Sequence, residues 1–392
     1  QARLEKFEKL LGDKNVKIKL LSNDPINNYT LQHTEQIERV DYIPKNIVFE
    51  KPAFITNLEE VSYLTGRRDF STDYSSKIWG KLFVKKDEKP ILFMKNALSE
   101  DFLKNCEDTL VVDKTGINAY DYSLIKYPEC TTSPIKDLKA VKTDEEIESY
   151  KKDFQNTDKT LMAIRDFIEN NENLSEYDIS EQLRKEFLNY GAKNLSFKPI
   201  VAINQHSALA HYSQASKDTI LKDGDLVLID CGAYYKNGLA TDITRVFVKG
   251  QPDNLQKEVY TTVLKAFLNC YNSALPNGHA IDNLAHTLLD YQIEGFQFSH
   301  GLGHGIGINV HEAPPMLNTS EGAKKEILDN MTFTIEPGLY NKDFFGVRLE
   351  NSCYKQNGKI CSFVKMCYEK KLINYDLLTK QEQLWLKDFD VL

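Results

Sequence analysis

The sequence contains no CxxC pair, no HExxH, no GxSxG and no GxxxxGK[ST], and none of its apolar runs approaches the length of a membrane span. These absences remove a thiolate-lined structural metal site, the helix-borne zinc protease site, the serine-hydrolase elbow and the phosphate-cradling loop from consideration. Positive charge is in short supply, 49 Lys+Arg against 57 Asp+Glu for a net charge of −8. A broad electropositive surface is therefore missing, so neither nucleic acid nor a membrane is expected as a partner. Seven cysteines, an odd number spread from Cys106 to Cys367, do not make a disulfide framework and suit a reducing, cytoplasmic setting. The chain opens on Gln1 rather than Met, as a processed or trimmed product would.

What is present is the composition of a globular protein, 41% hydrophobic and 27% charged. A chain of 392 residues exceeds what one core usually supports, so two domains are expected. Residues 1–45 are polar and Asn/Lys-rich, with one short amphipathic stretch from Leu4 to Leu11, and read as a short leading segment or the remnant of a larger domain. From Ala53 onward, apolar β-type runs (53–56, 81–84, 90–94, 109–112) alternate with helix-like segments (58–63, 99–105), which predicts a small α/β domain over 46–139. Thr143 followed by Glu146 is a capping-box pattern that starts a long helix towards Glu169. Further helices are predicted over 175–190, stopping at Gly191, and over 254–274 and 281–291. Strand-like runs fill the gaps, so residues 140–392 should form an α+β domain around a largely antiparallel sheet.

Four elements of this second domain carry chemistry. Residues 226–248 read as two apolar runs, LVLID and ITRVFV, joined through the Asn237-Gly238 turn signal, with Asp230 and Asp242 on opposite arms. A three-residue loop with Gly238 left-handed would pair position 230 with 244 and bring both carboxylates to one face, whereas a two-residue turn would set them on opposite faces. Cys231, beside Asp230, should then point into the core. Carboxylates forced together repel unless a cation lies between them; ordinary strand-end acids are the plain alternative. Three of the eight histidines, His300, His304 and His311, fall in one glycine-rich segment, HGLGHGIGINVHE, where the backbone can approach a site closely and leave His304 free to bind metal. Glu336 and Glu350 each end a short apolar run, TIE and GVRLE, and on their own would read as exposed or salt-bridged acids. Together the elements supply four carboxylates and one imidazole, an oxygen-rich set suited to a Mn-, Co- or Zn-bridged pair.

At these residues the sequence resembles the pita-bread metallopeptidase family, which includes methionine aminopeptidase, prolidase and aminopeptidase P. The likeness runs over His211-Tyr212, LIDCGAYYKNGLATDITR, HGLGHGIGINVHEAPP, TIEPGLY and GVRLEN in the family's order. It implies a pita-bread catalytic domain behind a creatinase-like α/β domain. It also implies two divalent metals, Mn before Zn or Co, held by Asp230, Asp242, His304, Glu336 and Glu350, with a bridging hydroxide as nucleophile. Three features resemble the aminopeptidase P branch: FITNLEEVSYLTG in the leading domain, His300 four residues before His304, and a Leu/Trp-containing tail that closes the domain. The implied activity is hydrolysis of the N-terminal Xaa-Pro bond, with peptides bearing proline at the second position as partners and a homodimer as the assembly. In that scheme Glu336 shuttles the proton, His211 and His311 bond the carbonyl oxygen, His300 binds substrate, and Tyr340 and Arg348 support the site. Prolidase, an Xaa-Pro dipeptidase, is the nearest rival, and a non-catalytic module of the same fold is a rival of another kind. Two departures stand out. The gap between the paired aspartates is one residue longer than the common pattern, and residues 1–45 are too few for the full leading domain of long aminopeptidases P.

Overall fold

A computed structural model describes residues 37–389 and, ahead of them, residues 5, 6 and 9. The amphipathic stretch read from Leu4 to Leu11, and most of the 1–45 segment, therefore lie outside the described residues. The described chain divides into two compact units: the residues up to Thr72 with Lys77–Lys139, and Asp73–Ser76 with the residues from Ala140 onward.

In the first unit a five-stranded sheet runs in the order Ile91–Phe93, Lys81–Val84, Ala53–Ile55, Leu110–Asp113, Pro128–Thr131. Its first two pairings are antiparallel and its last two parallel, the mixed pattern of an α/β layer. Phe54, Phe83 and Phe93 converge on Phe102, with ring centroids 4.7–6.3 Å apart, and Leu103, Leu110 and Val112 complete that core. The strands Arg67–Asp69 and Pro128–Thr131 and the six-residue helices Ala119–Leu124 and Ile135–Ala140 escape the sequence pattern. They are short, and Pro128–Thr131 is exposed along its whole length, so no hydrophobic alternation marks it.

In the second unit the long helix spans Asp144–Asn170. Thr143 caps it reciprocally with Glu146, each accepting from the other's backbone N–H, which satisfies two donors that a helix start leaves bare. Ile147, Phe154, Leu161 and Ile168 recur every seven residues along its buried stripe. Helix Glu176–Asn189 ends ahead of Gly191, whose φ of +90° is left-handed as its position after the helix requires. Helices Asn254–Tyr271 and Gly278–Leu289 pack on each other.

The sheet they cover is antiparallel throughout, in the order Thr332–Ile335, Glu350–Gln356, Ile243–Val248, Leu226–Cys231, Ile200–Ile203, with Lys359–Ser362 also pairing to Glu350–Gln356. One sheet face buries Leu226, Leu228, Val246 and Val248 against Val259, Val263 and Phe267 of the helix Asn254–Tyr271. Leu386 and Phe389 of the tail enter the same core, with Trp385 half-buried against it. The unit is thus a helix-covered antiparallel α+β domain. By strand alternation the same face continues to Asp230 and Thr244, so the core face ends in polar groups.

Candidate active site

Register decides how the acids meet. Asp230 pairs with Thr244 across the hairpin, and Thr244 pairs with Glu350 on the next strand. Ile335 pairs with Asn351, so Glu336, one residue further, lies level with Glu350. Glu336, Glu350, Thr244 and Asp230 therefore form one row across four strands. Asp242 stands two residues before Thr244 on the same face. Of the two hairpins the sequence allows, the chain adopts the three-residue loop. Gly238 has φ +62°, Tyr234 bridges to Ala240, and that register carries through to the Asp230–Thr244 pair. Glu350 departs in detail from its sequence reading, because it opens the strand Glu350–Gln356 rather than closing the run Gly346–Arg348. Leu349 interrupts the two, which lets Arg348 and Glu350 serve different strands. Cys231 alternates to the opposite face and is fully buried.

The histidine segment closes over this row. Gly303-His304 pairs with Met316-Leu317, and His304 N donates to Thr334 Oγ1 at 3.1 Å. His304 Nδ1 lies 3.1 Å from Gly305 O, a pure acceptor, so the neutral ring carries its hydrogen there and leaves its lone pair on Nε2. Burial drives the ring's pKa down to about 3, which keeps it neutral at physiological pH. The bare Nε2 nevertheless faces Asp242 Oδ2 and Glu336 Oε1, each at 3.5 Å. A lone pair aimed at two carboxylates is repulsive unless a cation lies between them.

The carboxylates give the same indication. Buried Asp230 Oδ1, Asp242 Oδ1 and Glu350 Oε1 have no hydrogen-bond partner among the described residues. Asp242, His304 and Glu350 each offer a donor atom, all within 4.8 Å of one another. Burial, reinforced by neighbouring carboxylates, pushes Asp242 and Glu350 well above the usual carboxylate range and takes Glu336 up to about 8. Acids so placed hold a proton or share a cation, and the donor set of oxygens plus one imidazole fits a hard or borderline divalent metal.

Arg348 ties the row together from behind. It is buried, its Nη2 2.7 Å from Asp230 Oδ2, its Nη1 2.9 Å from Tyr340 Oη and its Nε 3.1 Å from Thr244 Oγ1. Thr244 in turn donates to Glu350 Oε2 at 2.7 Å. Tyr340 Oη, accepting from Arg348, donates to His300 Nε2 at 2.7 Å, while His300 Nδ1 donates to Gly301 O at 2.8 Å. Both nitrogens of His300 are thereby engaged within the chain, and burial takes its pKa down to about 4. His211 and His311 line the same cavity of about 490 Å³ as His300, His304 and the acids. His311 packs edge-on to His304 with centroids 4.3 Å apart.

The sequence reading missed Thr244, which the spacing Asp-x-Thr on a strand would have flagged as facing Asp242's side. It also missed Glu312, beside His311. The Glu312 carboxylate accepts from Ile308 N at 2.8 Å and Asn309 N at 3.2 Å and lies 3.5 Å from buried Lys142 Nζ, so it braces the glycine-rich segment. A methyl group on Gly307 would collide with that carboxylate, which is why the loop needs glycine there.

Known proteins resemble the chain in sequence and in fold. The profile of metallopeptidase family M24 matches residues 148–355. A Pyrococcus furiosus protein named Xaa-Pro dipeptidase is 33% identical over 298 residues, covering 74% of this chain and 83% of that protein. A Coprinopsis cinerea protein named probable Xaa-Pro aminopeptidase P is 28% identical over 418 aligned positions, covering 90% of this chain but only 66% of that longer protein. The crystal structure of an X-prolyl aminopeptidase from Caenorhabditis elegans, described as a cytosolic enzyme with a di-nuclear active site, superposes with a TM-score of 0.84. That match covers 99% of this chain and 74% of the nematode protein at 20% identity, a likeness of fold. With the family profile matched over more than half of its length, and three quarters of it aligned at one-third identity to a member, the chain belongs to metallopeptidase family M24.

Proposed function

We propose that the protein is a metal-dependent aminopeptidase that hydrolyses the bond between an N-terminal residue and a following proline, with residues 46–139 as an accessory domain and 140–392 as the catalytic one. The observation that carries the metal site is the bare His304 Nε2 facing two carboxylates, with three orphaned carboxylate oxygens beside it. Asp230, Asp242, His304, Glu336 and Glu350 would hold two divalent ions, manganese foremost. Bound there, such ions lower the pKa of water and stabilise negative charge on the substrate carbonyl oxygen.

The chain's own groups divide the remaining work. Glu336, level with Glu350 at the end of the row and lining the cavity, is placed to take the proton of the attacking water as a carboxylate and pass it to the prolyl nitrogen as that nitrogen leaves. His311, held neutral by burial, and His211 each donate an N–H to the carbonyl oxygen as it becomes negative. His300, with both ring nitrogens engaged, contributes the face of its ring to the substrate wall instead of a hydrogen bond. Arg348 fixes the orientation of Asp230 and, through Thr244, of Glu350. All seven cysteines are free, in keeping with the cytoplasmic, reducing setting proposed for it.

A dipeptidase reading has one observation in its favour. Lys198 lines the cavity with its side chain exposed and, among the described residues, no hydrogen-bonding or ionic partner, so it offers a cation for the carboxylate that follows proline in an Xaa-Pro dipeptide. The deciding experiment is hydrolysis of Xaa-Pro against Xaa-Pro-Yaa by protein stripped of metal and reloaded separately with Mn, Co and Zn. Cleavage of the tripeptide after its first residue, lost on chelation and in Asp242→Ala and Glu350→Ala, is expected. Full turnover by protein shown by elemental analysis to be metal-free would overturn the proposal, and cleavage of the dipeptide alone would favour the dipeptidase.

A further inference from the structure

The segment that carries His211 is gripped at both ends by one buried carboxylate. Glu176 begins the helix Glu176–Asn189 and is fully buried. Its Oε1 accepts from Ile203 N at 2.8 Å and lies 2.8 Å from His206 Nδ1. Its Oε2 accepts from Tyr212 Oη at 2.8 Å and from Ser216 N at 2.9 Å. The four donors bracket residues 203–216, with His211 inside the bracket. His206 and Tyr212 stack across the loop, centroids 4.6 Å apart and planes at 22°, so the two side chains reaching Glu176 also brace each other.

The near end of this loop has independent fastening. Ser207 Oγ donates to Gly346 O at 3.0 Å and accepts from Gly346 N at 2.8 Å, joining the loop to the strand that bears Arg348. The far end is held at Ser216, whose O accepts from Tyr177 N at 3.1 Å, but not closer to His211. Among the described side chains of residues 208–215, the one hydrogen bond to the rest of the unit is Tyr212 Oη to Glu176. His211 lines the cavity and is exposed, with no described partner to orient its ring. Its direction is therefore inherited from the backbone, and the backbone at 211 is set by its neighbour's anchor.

We infer that Glu176 is a positioning residue for catalysis, holding the 203–216 loop through Tyr212 and His206 so that His211 faces the scissile carbonyl. The inference rests on the reading that His211 acts on that carbonyl. A carboxylate suits the task because one oxygen takes both bonds from the near end of the loop and the other takes both from the far end, and charge-assisted bonds in a dry site hold geometry tightly. An amide would put N–H against the N–H of Ile203 or Ser216.

The test uses the full-length, metal-loaded protein with an Xaa-Pro-Yaa substrate. Tyr212→Phe deletes one hydroxyl and keeps the ring stack, so the fold is retained even if the harsher Glu176→Gln fails to accumulate. Expected for Tyr212→Phe is a fall in kcat of roughly tenfold, the worth of one hydrogen bond to a charged group, with KM and metal content near those of the parent. The same substitution in a His211→Ala background should cost nothing further, because the anchor has then lost what it positions. An equal loss in both backgrounds, or unchanged kcat in Tyr212→Phe, would overturn the inference while leaving the role of His211 standing. Full activity of His211→Ala would sink that role itself, and the inference with it.

Discussion

At the scale of single residues, the acids of this protein divide by whether a cation can reach them. Asp242 and Glu350 are raised by burial and by neighbouring carboxylates, Glu336 by burial and by Asp230, and their row opens into the cavity. Asp153, on the long helix, is raised to about 8 chiefly by burial, its buried Oδ2 without a hydrogen-bond partner among the described residues, and it does not line that cavity. An acid whose pKa is higher folded than unfolded binds its proton more tightly in the folded state. Its favourable contribution is complete below the unfolded value near 4 and drains away as pH rises to the folded value near 8. Asparagine does not ionise and escapes that loss. Asp153→Asn should therefore gain stability relative to the parent as pH rises from 4 to 8 and hold a constant lead beyond. Denaturant midpoints of the two proteins at pH 5 and pH 9 measure this, and a gap that failed to widen would contradict it.

Among the elements, the loop from Gly303 to Glu312 is where backbone freedom and side-chain chemistry constrain each other most closely. Glu312 is anchored by Ile308 N, Asn309 N and Lys142, and Gly307 packs against it without room for a methyl group. Gly307→Ala must displace either the carboxylate or the loop. Overpacking of this kind costs about 1–3 kcal/mol, and because His304 and His311 flank the displaced segment, kcat should fall with it. A variant with unchanged denaturant midpoint and unchanged kcat would show that the loop tolerates the shift. The elements also show what a sequence reveals. The capped helix from Asp144 and the stop at Gly191 were legible because capping chemistry and left-handed glycine are local. The exposed strand Pro128–Thr131 and the strand Arg67–Asp69 were not, since pairing with distant neighbours holds them as strands against weak local preference.

For the molecule as a whole, a row of buried carboxylates means that the metal-free fold carries electrostatic strain, which the cations proposed for the row would relieve. Ligand that binds only the folded state stabilises it by about 2.7 kcal/mol at a hundredfold excess over Kd, which for a unit of this size is roughly 5 to 10 °C in Tm. Scanning calorimetry with added Mn2+ should register that rise in the parent. Asp242→Asn should be more stable than the parent when both are metal-free and should lose most of the rise. A parent whose Tm ignored Mn2+ would contradict the assignment of the acids to a cation. The sequence alone determined the chemical types and the order in which they come, and the helices whose start and stop signals lie within a few residues of each other. It left open which hairpin loop joins Asp230 to Asp242, and so whether 230 pairs with 244, and it held no trace of the strand pairings that extend that row to Glu350 and Glu336, or of the Glu176 anchor behind His211. Those belong to the tertiary structure, because strand register and buried hydrogen bonds between residues far apart in the chain are settled by packing, and a shift of one residue in any strand would turn the same side chains to the other face.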